Sequence, residues 1–292
     1  MTGQNTPLLR EMTQNNERAR QIAEITLTPP ENTRILTISN QKGGVGKTTT
    51  AVNLAASLAR KGLRVLVIDL DPQGNASTAL GVEHHTAVLG SYEVLVDGLP
   101  MADAVKQSPE HKNLLCLPAT INLAGAEIDM VGFDRREHVL ANSLQAYLKS
   151  QTEPIHFVFI DSPPSLGLLT VNALVAATEV LVPIQCEYYA LEGVTQLMNN
   201  IDRVRKALNP TLKVGGILLT MFDNRTNLST DVAAEVRKFF PNETLSATIP
   251  RSVRLSEAPS FGQTAISYDP KNTGSLAYQE AAIELAQKGV TK

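Results

Sequence analysis

At 292 residues, with 43% hydrophobic and 19% charged side chains, the chain has enough apolar material for one large α/β domain or two small ones. The lack of Trp and an aromatic content of 4% argue against a surface of stacked rings such as single-strand nucleic-acid binders use, and no apolar run reaches membrane-spanning length or forms a secretion-type leader. Net charge is −3 but unevenly spread, since residues 201–292 carry 12 Lys/Arg against 9 Asp/Glu, a mild basic bias that permits a polyanion-binding patch without demanding one.

Residues 1–33 are polar and close on Thr28-Pro29-Pro30-Glu31-Asn32. This composition reads as a flexible tail, with a short helix over residues 8–25, ahead of one domain spanning 34–292. From Arg34 onward, short apolar runs at 35–38, 65–68, 157–160, 180–184, 217–220 and 245–249 alternate with helical patterns such as 48–60, 191–208 and 228–239. The runs are continuous in apolar residues, as strands buried on both faces are. Such alternation predicts a doubly wound α/β fold, a mostly parallel sheet with helices on both faces. Ligands then bind at the carboxyl ends of the strands, so the residues following each run are the candidates for chemistry. Cys116 and Cys186 lie far apart without metal-binding spacing, which reads as free thiols in a cytoplasmic protein.

The first run leads into Asn40-Gln41-Lys42-Gly43-Gly44-Val45-Gly46-Lys47-Thr48-Thr49 and then a helix, the strand–loop–helix context of a phosphate-binding loop. Glycines let successive backbone N–H groups turn inward toward phosphate oxygens, and the following helix N-terminus adds positive potential. Lys47 would neutralise the β- and γ-phosphates, and the Thr48 hydroxyl would ligate Mg2+. ATP and Mg2+ are the ligands this predicts. The common pattern GxxxxGK[ST] wants glycine where this chain has Gln41. A denser run, with a second lysine at Lys42, stands in its place.

The second run ends in Asp69-Leu70-Asp71-Pro72-Gln73-Gly74-Asn75, where alternation puts both carboxylates on one side of the extended chain. Asp71 is the candidate for positioning an attacking water, and Asp69 for the metal's outer shell. The third candidate is Asp161, which ends the apolar strand Phe157-Val158-Phe159-Ile160 ahead of Ser162-Pro163-Pro164. That is the Walker B arrangement, in which a carboxylate reaches Mg2+ directly or through water.

Together these segments resemble the deviant-Walker ATPases, and within them the ParA/Soj chromosome- and plasmid-partition family. The resemblance runs from about Arg34 onward and takes in Pro118-Ala119-Thr120, Leu123-Ala124-Gly125-Ala126-Glu127 and Ser165-Leu166-Gly167-Leu168-Leu169-Thr170. It continues through Gln185-Cys186-Glu187-Tyr188-Tyr189-Ala190-Leu191-Glu192-Gly193 and Ile249-Pro250-Arg251-Ser252-Val253-Arg254-Leu255-Ser256-Glu257-Ala258-Pro259-Ser260.

The resemblance implies a slow ATPase in which Lys42 matches a signature lysine that contacts the ATP of the other subunit in a sandwich homodimer. Pro250 and Arg251 match the loop near the adenine. Arg225 and Arg254 match arginines that bind double-stranded DNA without sequence preference once the dimer forms, a task suited to guanidinium–phosphate contacts. A ParB-type centromere-binding protein would stimulate hydrolysis, and the protein would sit on the nucleoid. Ser252 departs from the Asn that relatives often carry there, and residues 1–33 are too few for the helix-turn-helix domain of some plasmid versions. The membrane-bound relative MinD would need a basic amphipathic terminal helix, which Glu280 and Glu284 fit poorly. A nitrogenase-reductase-like electron carrier would need interface cysteines that Cys116 and Cys186 do not supply. An ATP-dependent ligase on the same scaffold is the remaining alternative.

Overall fold

Consecutive residues of the central strands leave the sheet in opposite directions, and both directions are apolar. Val65 and Val67 pack into one core while Leu66 and Ile68 pack into the other, and Phe157/Phe159 against Val158/Ile160 repeat the division. The computed structural model describes residues 7–188 and 190–288. Among them, β1 (Arg34–Ile38), β2 (Val65–Asp69), β3 (Lys106–Gln107), β4 (Leu114–Leu117), β5 (Phe157–Asp161), β6 (Glu179–Gln185), β7 (Lys213–Phe222) and β8 (Thr244–Pro250) form one sheet. Their order is β3-β4-β2-β5-β1-β6-β7-β8. Every neighbour is parallel except β3, which runs antiparallel to β4. Helix α2 (Lys47–Arg60) and the last helix, Thr273–Lys288, cover one face through Leu54, Leu58, Leu276 and Leu285. Helices Val139–Ser150, Leu168–Ala176, Ala190–Ala207 and Asn227–Phe239 cover the other.

The expected α/β fold is therefore present, and all six predicted strands are in place. Strand β4 escaped the sequence reading because Leu114-Leu115-Cys116-Leu117 is four residues long and has no β-branched member.

The chain crosses from one side of β1 to the other as it passes from β5 to β6, so the carboxyl end of β1 is the topological switch point. In the ladder Asp161 lies level with Ile38 on one side and Asp69 on the other. The loop after β1 and both strand-end acids are thereby brought to one place. At the opposite end of the sheet, Arg34 makes a buried bidentate pair with Glu179 at 2.9 and 2.8 Å and donates to Leu285 O at 2.6 Å.

The segment ahead of β1 is where the structure departs from expectation. A helix α1 (Pro7–Glu24) does form over the anticipated stretch, but it is docked on the body. Ile22 and Leu27 are buried in the core, and Arg18 forks onto Glu280 of the last helix at 2.9 and 2.7 Å. Lys61 Nζ donates to the carbonyls of Ile22 and Ile25 at the end of α1, where a cation is favoured by the helix dipole. A flexible tail is thus not what residues 7–33 form; residues 1–6 lie outside those described.

Candidate nucleotide site

The loop after β1 needs glycine at two positions for a backbone reason. Gly44 and Gly46 adopt φ of +73° and +88°, left-handed values that side chains other than glycine rarely take. Gly46 is the residue from which α2 starts, and Thr50 N donates back to its carbonyl at 2.8 Å. Three neighbours hold the loop in this shape. Thr220 of β7 donates to Val45 O at 2.9 Å, Tyr278 of the last helix bonds Thr50 at 3.1 Å, and Asn40 accepts from Lys42 N at 3.0 Å. The Gly43-Gly44-Val45-Gly46 cradle thus leads directly into the N-terminus of a 14-residue helix, whose unpaired N–H groups favour an anion.

Lys47 is buried, and its Nζ reaches Lys42 O at 3.4 Å. Burial lowers its pKa, while the negative charges of Asp161 and Asp71 pull it back up. The structure therefore brings Lys47, Asp71 and Asp161 together as the sequence suggested. Asp161 is fully buried, and neither of its oxygens has a hydrogen-bond partner among the described residues. The Thr48 hydroxyl stands beside it and favours its charged form without closing a full hydrogen bond. Burial, then the neighbouring Asp69, push the Asp161 carboxyl up to about 8.

Asp69 is equally buried but differently used. Its Oδ2 accepts from Ser77 N at 2.9 Å and Ser77 Oγ at 2.7 Å, and its Oδ1 from Asp71 N at 3.1 Å. Burial raises it to about 6 against those hydrogen bonds. Both oxygens brace the Asp71–Ser77 turn. Asp71, half-buried, accepts from Gln73 N at 3.0 Å.

An uncoordinated buried carboxylate beside a threonine hydroxyl fits a hard divalent cation. Mg2+ is held by one or two protein oxygens together with substrate phosphates. Among the described residues no group of three or more His, Cys, Asp or Glu side chains forms a separate metal cage, so Thr48 and Asp161 are the fitting pair.

Lys42 stands outside the cradle. Its half-exposed Nζ pairs with Glu187 Oε2 at 2.7 Å, on the loop after β6. Arg251 approaches the other Glu187 oxygen at 4.0 Å. Pro250 and Arg251, at the end of β8, border a cavity of about 380 Å³ with Phe222, Asp223 and Thr248. Ser252 donates to Asn272 Oδ1 at 3.0 Å. Glu187 received no role from the sequence, nor did Ser77 or Thr220, because their partners are 145, 8 and 175 residues away.

Arg225 and Arg254 are exposed but already paired. Arg225 forks onto Asp223 at 2.9 and 2.8 Å, while Arg254 bonds Glu257 at 3.1 Å and lies over the Tyr268 ring at 5.8 Å. The structure does not join them into a bare cationic patch.

A glycine cradle at the switch point of a parallel sheet, with a buried lysine and an unpartnered strand-end acid, defines a P-loop nucleotide-binding protein. Comparison with known proteins agrees: a family model described as "AAA domain" matches residues 33–214. The sporulation initiation inhibitor protein Soj of Bacillus subtilis is 50% identical over 88% of this chain and 99% of its own length. The chromosome partitioning protein ParA of Myxococcus xanthus is 49% identical over 89% of this chain and 90% of its own. Among solved structures, one described as cobyrinic acid a,c-diamide synthase from Mycobacterium smegmatis, with bound ATP analogue and magnesium, superposes with a TM-score of 0.73. It is 38% identical and spans 86% of this chain and 93% of that one. The chain belongs to the Soj/ParA family of chromosome-partitioning proteins.

Proposed function

We propose that this protein is a partition ATPase, binding Mg-ATP in the cradle after β1 and hydrolysing it slowly. The observation that carries the reading is the convergence of the left-handed Gly44/Gly46 loop, buried Lys47 and the uncoordinated Asp161 at one strand edge. Backbone N–H groups of Gly43–Thr49 and the Lys47 ammonium hold the phosphates, with Thr48 and Asp161 facing the cation. Held there by Thr48 and Asp161, a Mg2+ would neutralise charge on the phosphates. Asp71, free of Asp69's burden, orients the attacking water.

On this reading Lys42 leaves Glu187 for the phosphates of a second copy, and ATP thereby favours a sandwich homodimer. The dimer doubles the number of arginine contacts to double-stranded DNA from Arg225 and Arg254, which exchange their acid partners for phosphates. Hydrolysis, stimulated by a ParB-type partner, dissolves the dimer and frees the DNA, so the protein cycles on and off the nucleoid of a cytoplasm. A membrane role is disfavoured by the last helix. Its apolar residues Leu276, Ile283 and Leu285 are buried, and no described helix is long and apolar enough to cross a membrane.

The test is DNA retention with ATP, ADP and no nucleotide, for wild type and the Arg225→Ala and Arg254→Ala variants. Retention with ATP only, weakened by either substitution, is expected. Binding indifferent to nucleotide would defeat the switch.

A further inference from the structure

Helix α1 precedes the region matched by the family model, which begins at residue 33, yet its Arg18 lines a cavity bordered by β7 and the last helix. The route to it starts at the cradle. Val45 is tied to Thr220 of β7, and Thr50 to Tyr278 of the last helix. Two residues farther along β7, roughly 6.5 Å, Phe222 opens the cavity of about 380 Å³. Its remaining walls include Asp223, Thr248, Pro250 and Arg251, with Ala277 beside Tyr278 and Arg18 of α1. β7 and the last helix are the elements shared by loop and cavity. The volume falls in the range of small-ligand sites.

Arg18 is placed there by its neighbours. Its Nε and Nη2 are spent on Glu280, at 2.9 and 2.7 Å, while Nη1 makes no bond among the described residues. The guanidinium is therefore fixed in orientation yet keeps donors for a ligand. The backbone behind it is held at both ends: Asn15 bonds Thr273 at 3.3 Å, Asn16 accepts from Lys271 at 2.8 Å, and Lys61 caps the helix beyond buried Ile22.

We propose that α1 is a working part of the nucleotide site, with Arg18 closing its base end. A purine offers ring-nitrogen acceptors to Nη1 and a flat face on which a guanidinium can stack. Base binding and α1 docking then stabilise each other, since each holds Arg18 in the position the other needs. The proposal rests on the cradle being an ATP site. Calorimetric titration of the full chain tests it, with Mg-ATP and with Mg-tripolyphosphate, which has the phosphates but no base. Arg18→Ala is expected to bind ATP about 10-fold more weakly, the worth of one charge-assisted hydrogen bond, with tripolyphosphate unchanged. Arg18→Lys keeps a cation for Glu280 and hence α1 in place, and is expected to lose most of the same selectivity. In wild type, ATP slows amide exchange in residues 15–24 more than tripolyphosphate does. ATP affinity unaltered in both variants, or an equal loss for both ligands, would reduce α1 to scaffold and overturn the proposal. Failure of wild type to bind either ligand, as expected only of Lys47→Ala, would instead overturn the proposed function.

Discussion

Among the described residues, Asp161 is a fully buried carboxyl with no hydrogen-bond partner, and its cost to the ligand-free fold can be worked out with its sign. Its pKa lies at about 8 in the folded chain, against an ordinary value of 3.8. Between those values the folded state holds a proton that the unfolded state has released. Stability therefore falls as pH rises, by about 1.4 kcal/mol per pH unit for one such group, and levels off above the folded pKa. From pH 5 to pH 7 the loss is about 3 kcal/mol, or about 6 °C in Tm at 2 °C per kcal/mol for a chain of this size. Asp161→Asn removes that slope while leaving the smaller contribution of Asp69. Melts of the ligand-free protein across pH 5–8 should show the wild-type curve descending more steeply than the variant's, so that Asp161→Asn becomes the more stable of the two near neutrality. Mg-ATP should raise the wild-type Tm and leave the variant nearly unmoved. Parallel pH curves, or equal stabilisation by Mg-ATP, would refute the assignment.

Glu179→Ala leaves the Arg34 guanidinium buried without its partner, and the fold should lose about 3–5 kcal/mol by denaturant titration, with ATP affinity unchanged because the pair closes the opposite end of the sheet. Gly46→Ala meets only ordinary contacts, at 4.0 Å from Thr220 and Tyr278, so its expense is the left-handed backbone. A loss of about 1–2 kcal/mol together with failure of ATP binding is expected in melts and calorimetry. Lys42→Ala should bind ATP as a monomer and fail to dimerise, as light scattering on a sizing column would record. Asp71→Ala should retain an ATP-dependent dimer on DNA with hydrolysis reduced at least 100-fold, read by phosphate release.

The parts of this site written in contiguous sequence were legible, and those set by distant contacts were not. Glycines at Gly44 and Gly46 announce a backbone demand, and an apolar run ending in Asp161 announces a strand-end acid. Nothing at Asp69 and Asp161 themselves separates their roles, because both are aspartates closing buried parallel strands. The difference is Ser77, whose N–H and hydroxyl occupy Asp69, while among the described residues no hydrogen bond closes on Asp161. Helix α1 was legible as a helix but not as a docked one, since Arg18 meets Glu280 across 262 residues of sequence. The Arg225 pairing was the nearer miss. Asp223 stands two residues before it, where an Asx-type turn brings a carboxylate back onto the following arginine.

The two lysines of the loop differ in burial, as the tasks proposed for them require. Lys47 is buried, so its charge carries a desolvation penalty, offset by Asp71 and, once ionised, by Asp161. A phosphate entering the cradle replaces that compensation at short range, where an interaction at about 4 Å is worth several kcal/mol even with partial screening. On the proposed reading, Lys47 serves its own subunit's ligand. Lys42 has 53% of its side chain exposed, and its one acid partner, Glu187, is 45% exposed. Such a surface pair contributes about 0–1 kcal/mol. Exchanging Glu187 for a phosphate supplied from outside therefore costs little, and the gain depends on whether that phosphate is present. On the proposed reading, burial suits Lys47 to holding the nucleotide, and exposure suits Lys42 to reporting it to a second molecule.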